Sequence, residues 1–250
     1  MTGREAGWWG LGVWVAGLAV FASDASAREY LLNQAYDTAK RGEVEVELYN
    51  DMHFTDADND DSYNSKHQLE VEYGVLDHLQ LGYYEVYTWN RADDWERDEF
   101  KIEAKLRFAE AGRWPADVAL YSEYKNPNGH RAVHSDELEN KVILSKRLGP
   151  LTLVGNVVFE KTLNTGSHWA YEYTAGLSYD LTPRIRLALE TQQGLGESGK
   201  FGINRNHPWY LVPGLSVAFG PHVKLLAGPA FGLTRGSDDF QLKSIVEVEF

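Results

Sequence analysis

The feature that most constrains the fold is the alternation of apolar with charged or polar residues, repeated over segments of about ten residues. In GEVEVELYND (42–51), three glutamates alternate with two valines and a leucine. Successive side chains of a β-strand point to opposite faces, so such a segment has one apolar and one charged face. EFKIEAKLRF (99–108) and DFQLKSIVEVEF (239–250) repeat the pattern. It predicts an all-β chain.

Twelve segments of this kind follow Gly42, and the connections between them alternate in length. LDH (76–78), LGP (148–150), LTP (181–183) and GPH (220–222) are tight turns, whereas TDADNDDSYN (55–64) and GLGESGKFGINRNH (194–207) are long and polar. Short and long connections therefore lie at opposite ends of the molecule. The predicted strands are 43–54, 65–75, 79–89, 98–109, 116–125, 136–147, 151–161, 168–180, 185–194, 208–219, 223–233 and 239–250.

The apolar faces carry aromatic residues toward both strand ends, as in the two interfacial girdles of membrane barrels. Short turns at one end and long loops at the other are typical of the same class. The sequence therefore predicts a transmembrane antiparallel up-and-down β-barrel of about twelve strands. The aromatic residues are Phe54, Trp169, Tyr171 and Trp209 at the loop end, and Phe108, Tyr179, Phe219 and Phe250 at the turn end.

The N-terminus has the three-part form of a secretory signal peptide. Arg4 precedes an apolar run from Trp8 to Phe21, and an A-x-A site ends at Ala27. The run is shorter than the roughly 20 residues of a spanning helix, so we expect cleavage after Ala27. Residues 1–27 are thus a signal peptide, and residues 42–250 are the barrel. Residues 28–41 are either a free periplasmic segment or a plug in the lumen.

The composition of the chain excludes several classes of partner and site. The chain has a net charge of −13, which argues against nucleic acid as a partner. It has no cysteine, so it forms neither disulfides nor thiolate metal sites. No nucleotide, heme or phosphate-binding motif occurs, and we predict no cofactor, no metal site and no enzymatic activity.

The C-terminal strand resembles the last strand of Gram-negative outer-membrane β-barrel proteins, which typically ends in Phe after alternating apolar residues. The resemblance is to porin-like or transporter-like members of about twelve strands. It implies that Phe250, Val248 and Val246 form a signal for the barrel-insertion machinery. It also implies secretion to the periplasm, location in the cell outer membrane, and contact with lipid and lipopolysaccharide.

The charged faces then line the lumen. Barrel closure brings the last strand beside the first, and like charges across a ladder need counter-charge, raised pKa values or bound cations. The network either braces the wall or forms a constriction that selects small solutes, with a preference for cations. The candidate lumen residues are Glu43, Glu45, Glu47, Glu70, Glu72, Lys105, Arg107, Arg147, Arg186, Lys224, Glu247 and Glu249.

Strands ten and eleven instead carry small inward residues, among them Gly214, Gly228 and Ala230. Either an aqueous path runs along this wall or another segment fills it. Pro213 and Pro229 are predicted to lie opposite each other and to weaken the ladder.

In strand three the alternation breaks near 83–84, which suggests a bulge.

A passive outer-membrane channel is the leading function. The alternatives are a closed structural or adhesive barrel that acts through its acidic loops, and a surface hydrolase that uses Asp51 and His53 on one face near the rim. DADNDD (56–61) resembles the start of a calcium loop but lacks its glycine and its final glutamate, so we interpret it as a solvated loop.

Overall fold

The computed structural model describes residues 29–56, 63–90, 94–129 and 135–250, so the predicted signal peptide and most of the DADNDD loop lie outside the described residues. Within these ranges no helix has the length and apolar character needed to cross a membrane. The strands are β1 (Val44–Phe54), β2 (Tyr63–Leu76), β3 (Leu79–Asn90), β4 (Asp94–Arg107), β5 (Asp117–Pro127), β6 (Glu137–Leu148), β7 (Leu151–Thr162), β8 (Ala170–Thr182), β9 (Ile185–Glu197), β10 (Trp209–Ala218), β11 (Val223–Gly232) and β12 (Phe240–Glu249).

Each strand pairs antiparallel with its neighbour in sequence, and β12 pairs with β1 to close the barrel. Closure pairs the backbone groups of both terminal strands, which an edge exposed to lipid would leave unsatisfied. The predicted fold, a twelve-stranded up-and-down barrel, is confirmed.

The two faces of the wall follow the predicted parity. On β4, Ile102 is 51% exposed on the outside, whereas its neighbour Glu103 is 1% exposed on the inside. β1 repeats the arrangement with Leu48 outside and Glu47 inside. Apolar side chains therefore form the exterior and ionisable ones the interior, the reverse of a water-soluble domain.

The predicted bulge in strand three is wrong in position. Tyr83 and Tyr84 pair continuously with both neighbouring strands. The register instead shifts between Val86 and Tyr87, where β4 carries one extra residue, Asp98. The alternation looked broken because Tyr84 and Val86 are apolar residues that face inward and are buried.

The β10–β11 ladder is interrupted as the prolines predict. No residues are paired between Leu211 with Phe231 on one side of the two prolines and Leu215 with Ala227 on the other. Proline has no N–H to donate to the ladder. The backbones also approach closely here, since a Cβ on Gly228 would lie 2.2 Å from the Pro213 carbonyl oxygen.

Candidate functional site in the barrel interior

A continuous row of glutamates crosses much of the inner wall. Cross-strand pairing joins Glu249 to Glu45 and Glu45 to Glu72, then passes through Gly82 on β3 to Glu103. It continues from Glu103 through successive partners on β5, β6 and β7. Because the strands are tilted, the row rises from the turn end at β12 to the loop end at β7. We call this set the acidic row: Glu249, Glu45, Glu72, Glu103, Glu123, Glu139 and Glu160.

Gly82 lets the row continue across β3, the one strand between β12 and β7 that contributes no glutamate to it. A Cβ at this position would lie 2.5 Å from Cγ of Glu103. The Glu103 side chain therefore lies over the space that a larger residue would fill. Carboxylate oxygens of Glu103, Glu70 and Glu72 lie within 4.8 Å of one another.

The loop-end half of the row is interleaved with lysines. Lys125 Nζ lies 2.7 Å from Glu139 and 2.5 Å from Glu160. Lys141 lies 2.7 Å from Glu139, and Lys101 lies 3.7 Å from Glu123. We call this half, Glu123, Glu139 and Glu160 with Lys101, Lys125 and Lys141, the lysine-rich arm. These contacts form a bracing network, although none of its six residues is among the lumen residues that the sequence predicted.

The turn-end half has fewer cations close by. Lys224 Nζ lies 3.7 Å from Glu247. Lys105 is buried at 5% exposure and interacts electrostatically with Glu45 and Glu103. In the adjacent row of the sheet Glu247 pairs with Glu47 and Glu47 with Glu70. The turn-end half of the acidic row and these three glutamates of the adjacent row together are called the lysine-poor arm: Glu45, Glu47, Glu70, Glu72, Glu103, Glu247 and Glu249.

Two tyrosines contact the lysine-poor arm on the side that faces the loop end. The Tyr49 hydroxyl shares its single proton between Glu70, at 2.5 Å, and Glu47. The Tyr84 hydroxyl donates to Glu103 Oε2 at 2.8 Å, and the two rings are in contact, with centroids 6.2 Å apart. These hydroxyls satisfy some carboxylate oxygens without adding charge.

The predicted arginines lie at the turn end, around a cavity of about 870 Å³ that Glu247 and Glu249 also line. Arg186 contacts Glu29 and Asp180, each at 2.5 Å, and Arg147 contacts Asp180 at 2.7 Å. Arg147 is 60% exposed, so it belongs to the rim of the barrel.

The remaining predicted residues also lie at the turn end. The Arg107 guanidinium lies over the ring of Tyr36, at 5.6 Å from its centroid. Glu43 precedes β1 and pairs with Lys40 at 3.8 Å, outside the glutamate clusters. Phe250 is 67% exposed and its N–H donates to the Val44 carbonyl, while Val246 and Val248 pair with β1. Their role in membrane insertion stays a prediction.

Most of residues 29–41, here the N-terminal segment, lie inside the barrel, and the segment ends at the exposed Lys40 and Arg41. The Glu190 carboxylate accepts the backbone N–H groups of Leu31, Leu32 and Asn33 at 2.7–2.9 Å. The Asn33 side chain donates to the same carboxylate at 2.9 Å. Glu190 is 1% exposed. One buried carboxylate on β9 thus holds three consecutive backbone donors.

Other strands hold the rest of the segment. Asn156 on β7 accepts from the Gln34 N–H and donates to its carbonyl. Gln80 on β3 accepts the Ala39 N–H at 2.8 Å. Tyr30 and Ser178 on β8 share a hydrogen bond of 3.0 Å. The segment therefore contacts opposite sides of the wall.

The small residues of β10 and β11 accommodate the segment as well. Cδ1 of Leu31 would lie 3.4 Å from a Cβ on Gly214 and 3.0 Å from one on Gly228. Leu31 belongs to a buried apolar cluster with Val212, Leu226 and Ala230. Of the two uses that the sequence allowed for this wall, contact with another segment is the one observed.

A second cavity, of about 400 Å³, lies at the loop end. Lys125, Glu139, Glu160 and Glu172 line it, so the upper end of the acidic row opens into this cavity. Glu249, the lower end of the row, lines the turn-end cavity. The acidic row thus runs from one cavity to the other.

The Asp51 and His53 pair does not form. Asp51 contacts Lys243 at 3.1 Å, whereas His53 Nδ1 lies 2.8 Å from Asp238. Asp238 also accepts hydrogen bonds from Thr55 and Gln241. Each group is therefore held by a structural partner of its own.

Sequence reasoning did not select the charged residues of the lysine-rich arm or Glu103 as site residues, and it also missed Glu190, Asn156, Gln80, Tyr49 and Gly82. Glu190, Asn156 and Gln80 had an available signal, since parity places each on the inward face of a strand. Nothing local in the sequence shows that these side chains contact a segment more than 40 residues away in the chain, as the hydrogen bonds between Glu190 and residues 31–33 do.

No family model matches the sequence, and no curated protein matches it significantly. Solved structures do match the fold. The COG4313 outer membrane channel from Pseudomonas putida F1 superposes with a TM-score of 0.63 at 13% identity, over 86% of this chain and 98% of that one. The NanC porin gives 0.57 at 9% identity, over 83% and 98%. The KdgM porin in complex with disordered oligogalacturonate gives 0.56 at 10%, over 82% and 98%. The chain has the fold of these outer-membrane barrels.

Proposed function

We propose that this protein is an outer-membrane channel for small solutes, with a preference for cations, and that its N-terminal segment regulates passage through the lumen. The observation that carries the proposal is the acidic row, whose two ends line the cavities at the two ends of the barrel. A polar path inside an apolar exterior serves passage through a membrane, and the function requires no catalysis.

The preference for cations follows from charge. Carboxylates outnumber cationic side chains in the lysine-poor arm, and a narrow charged passage concentrates counter-ions. Passage is proposed to begin at the turn-end cavity, where Glu247 and Glu249 face Arg186 and Lys224. The structural relatives with channel or porin in their names support the class of function, and none supports a particular solute.

The N-terminal segment is proposed to act as a plug. Polar contacts make up much of its attachment, and Glu190 alone accepts four of its hydrogen bonds. Water can replace such bonds when the segment moves, which keeps the net cost of displacement moderate. A plug of this type permits opening without any change in the barrel wall.

Recording from the mature protein in a planar bilayer tests the proposal. Glu190→Ala removes the acceptor of the three backbone donors, so we expect open time or conductance to exceed that of the wild type. Glu172→Ala is the matched control, because Glu172 is an inward carboxylate on β8 that bonds Gln192 of the wall. Equal currents in Glu190→Ala and Glu172→Ala would contradict the plug.

A closed structural or adhesive barrel is the second candidate, because the N-terminal segment fills part of the interior. It predicts silence in the bilayer from the wild type and from Glu190→Ala alike. The proposed location in the outer membrane, with lipid and lipopolysaccharide as surroundings and the insertion machinery as a partner, is common to both candidates.

A further inference from the structure

We propose that the lysine-poor arm binds a divalent cation of the calcium and magnesium type, held by Glu45, Glu47 and Glu72. This inference goes beyond the proposed function and does not depend on conduction. It rests on the geometry of the carboxylates, on an unsatisfied buried oxygen, and on the position of the site next to the turn-end cavity.

The carboxylates converge on one point. Glu45, Glu47 and Glu72 each offer an oxygen, and these oxygens lie within 4.8 Å of one another. Glu70, Glu72 and Glu103 form a second group of the same size, so Glu72 belongs to both. Adjacent strands position the first group, because Glu45 pairs with Glu72 and Glu47 lies two residues along β1.

One oxygen in the first group has no donor. Oε1 of Glu45 is fully buried and accepts no hydrogen bond from any part of the chain that the structure describes, and the residue is 3% exposed. A buried carboxylate oxygen without a partner is costly. A cation at the convergence point would satisfy it and reduce the repulsion among its neighbours.

The ligand chemistry selects the class of ion. The three side chains of the first group are carboxylates, and carboxylate oxygens suit hard cations such as Ca²⁺ and Mg²⁺. Ca²⁺ accepts six to eight oxygens in flexible geometry, as two overlapping carboxylate groups on a curved wall would provide. Mg²⁺ demands a stricter octahedron and keeps several waters, so we expect Ca²⁺ to bind more tightly.

The proposed site lies next to the turn-end cavity. Glu249 lies across the ladder from Glu45 and lines the turn-end cavity. Both carboxylate oxygens of Glu249 are buried and accept no hydrogen bond within the described ranges. An ion moving from that cavity toward the first group would therefore pass Glu249, whose buried carboxylate would have to rotate to contact the ion.

Calorimetric titration of the chelator-treated mature protein in detergent with CaCl₂, and separately with MgCl₂, tests the proposal. We expect saturable Ca²⁺ binding that weakens by at least about ten-fold in Glu45→Gln and in Glu72→Gln. Glu123→Gln is the matched control, since Glu123 is a buried glutamate of the same row in the lysine-rich arm. Its Ca²⁺ affinity should equal that of the wild type.

The proposal would be overturned if the wild type showed no saturable binding, or if Glu45→Gln and Glu72→Gln bound Ca²⁺ as tightly as the wild type does. Shared protons would then be what reduces the repulsion among the glutamates of the lysine-poor arm. If the variants fail to fold, a terbium measurement on the wild type alone still tests the proposal. Terbium should give tyrosine-sensitised emission, because Tyr49 bonds two of the surrounding glutamates. Ca²⁺ should displace it, and a lack of displacement would count against the site.

Discussion

The two arms of the acidic row are built from the same residue on the same face of the wall, yet their electrostatic surroundings differ. In the lysine-rich arm, Lys125 lies within 3.8 Å of three glutamates, Glu123, Glu139 and Glu160. In the lysine-poor arm, two tyrosine hydroxyls satisfy some oxygens, and Oε1 of Glu45 accepts no hydrogen bond from the described residues. A glutamate inside a barrel can therefore either brace the wall or hold charge that is available to a mobile ion.

The largest effect is expected from removing the shared cation of the lysine-rich arm. Lys125→Met leaves two buried glutamates, Glu123 and Glu139, and the half-buried Glu160 without their common partner. Breaking a buried ion pair costs about 3–5 kcal/mol. We expect the free energy of unfolding in lipid vesicles to fall by that order in urea titration. A loss below about 1 kcal/mol would show that this arm does not brace the wall.

Gly82→Ala tests how the row crosses β3. The new Cβ would lie 2.5 Å from Cγ of Glu103 and would force that side chain away from Glu72. Overpacking of this kind costs about 1–3 kcal/mol. Urea unfolding of Gly82→Ala should show such a loss. Gly155→Ala is the control, because its Cβ would meet no atom closer than 3.8 Å.

Neutralising a glutamate in each arm should change stability in opposite directions. With chelator present, Glu45→Gln relieves repulsion among neighbouring carboxylates, and we expect a gain of up to about 1 kcal/mol in the free energy of unfolding. Glu139→Gln weakens contacts with Lys125 and Lys141 and should reduce it. Changes of the same sign and size would remove the distinction between the arms.

The smallest effect on stability is expected from Asp238, a carboxylate at the rim of the barrel that lies outside both arms. Burial alone would raise the pKa of Asp238, but hydrogen bonds from His53, Gln241 and Thr55 outweigh it and hold the pKa below its ordinary value. A depressed folded-state pKa contributes stability above the unfolded-state pKa, and this is lost as pH falls through the folded-state value. Asp238→Asn should therefore reduce the acid dependence of stability, measured by urea unfolding between neutral and acidic pH.

Much of the fold was available from the sequence, because the period of two sets the face of every side chain at once. The same parity, with closure of the barrel, predicts Glu249 beside Glu45, and the two residues are paired in the structure. The difference between the arms was not available, since it depends on which lysine reaches which glutamate across neighbouring strands. The position of the N-terminal segment was also open, because its short run of residues has no strong period and its contacts with Glu190, Asn156 and Gln80 are distant in sequence.

The most direct test of the account is the reversal potential of the barrel without residues 28–41, measured in a planar bilayer under a KCl gradient. The account predicts a conductance larger than that of the full mature chain, with a reversal potential that favours K⁺ and that shifts toward zero in Glu247→Gln. A silent barrel that is correctly folded, or a conducting one that prefers chloride, would contradict it.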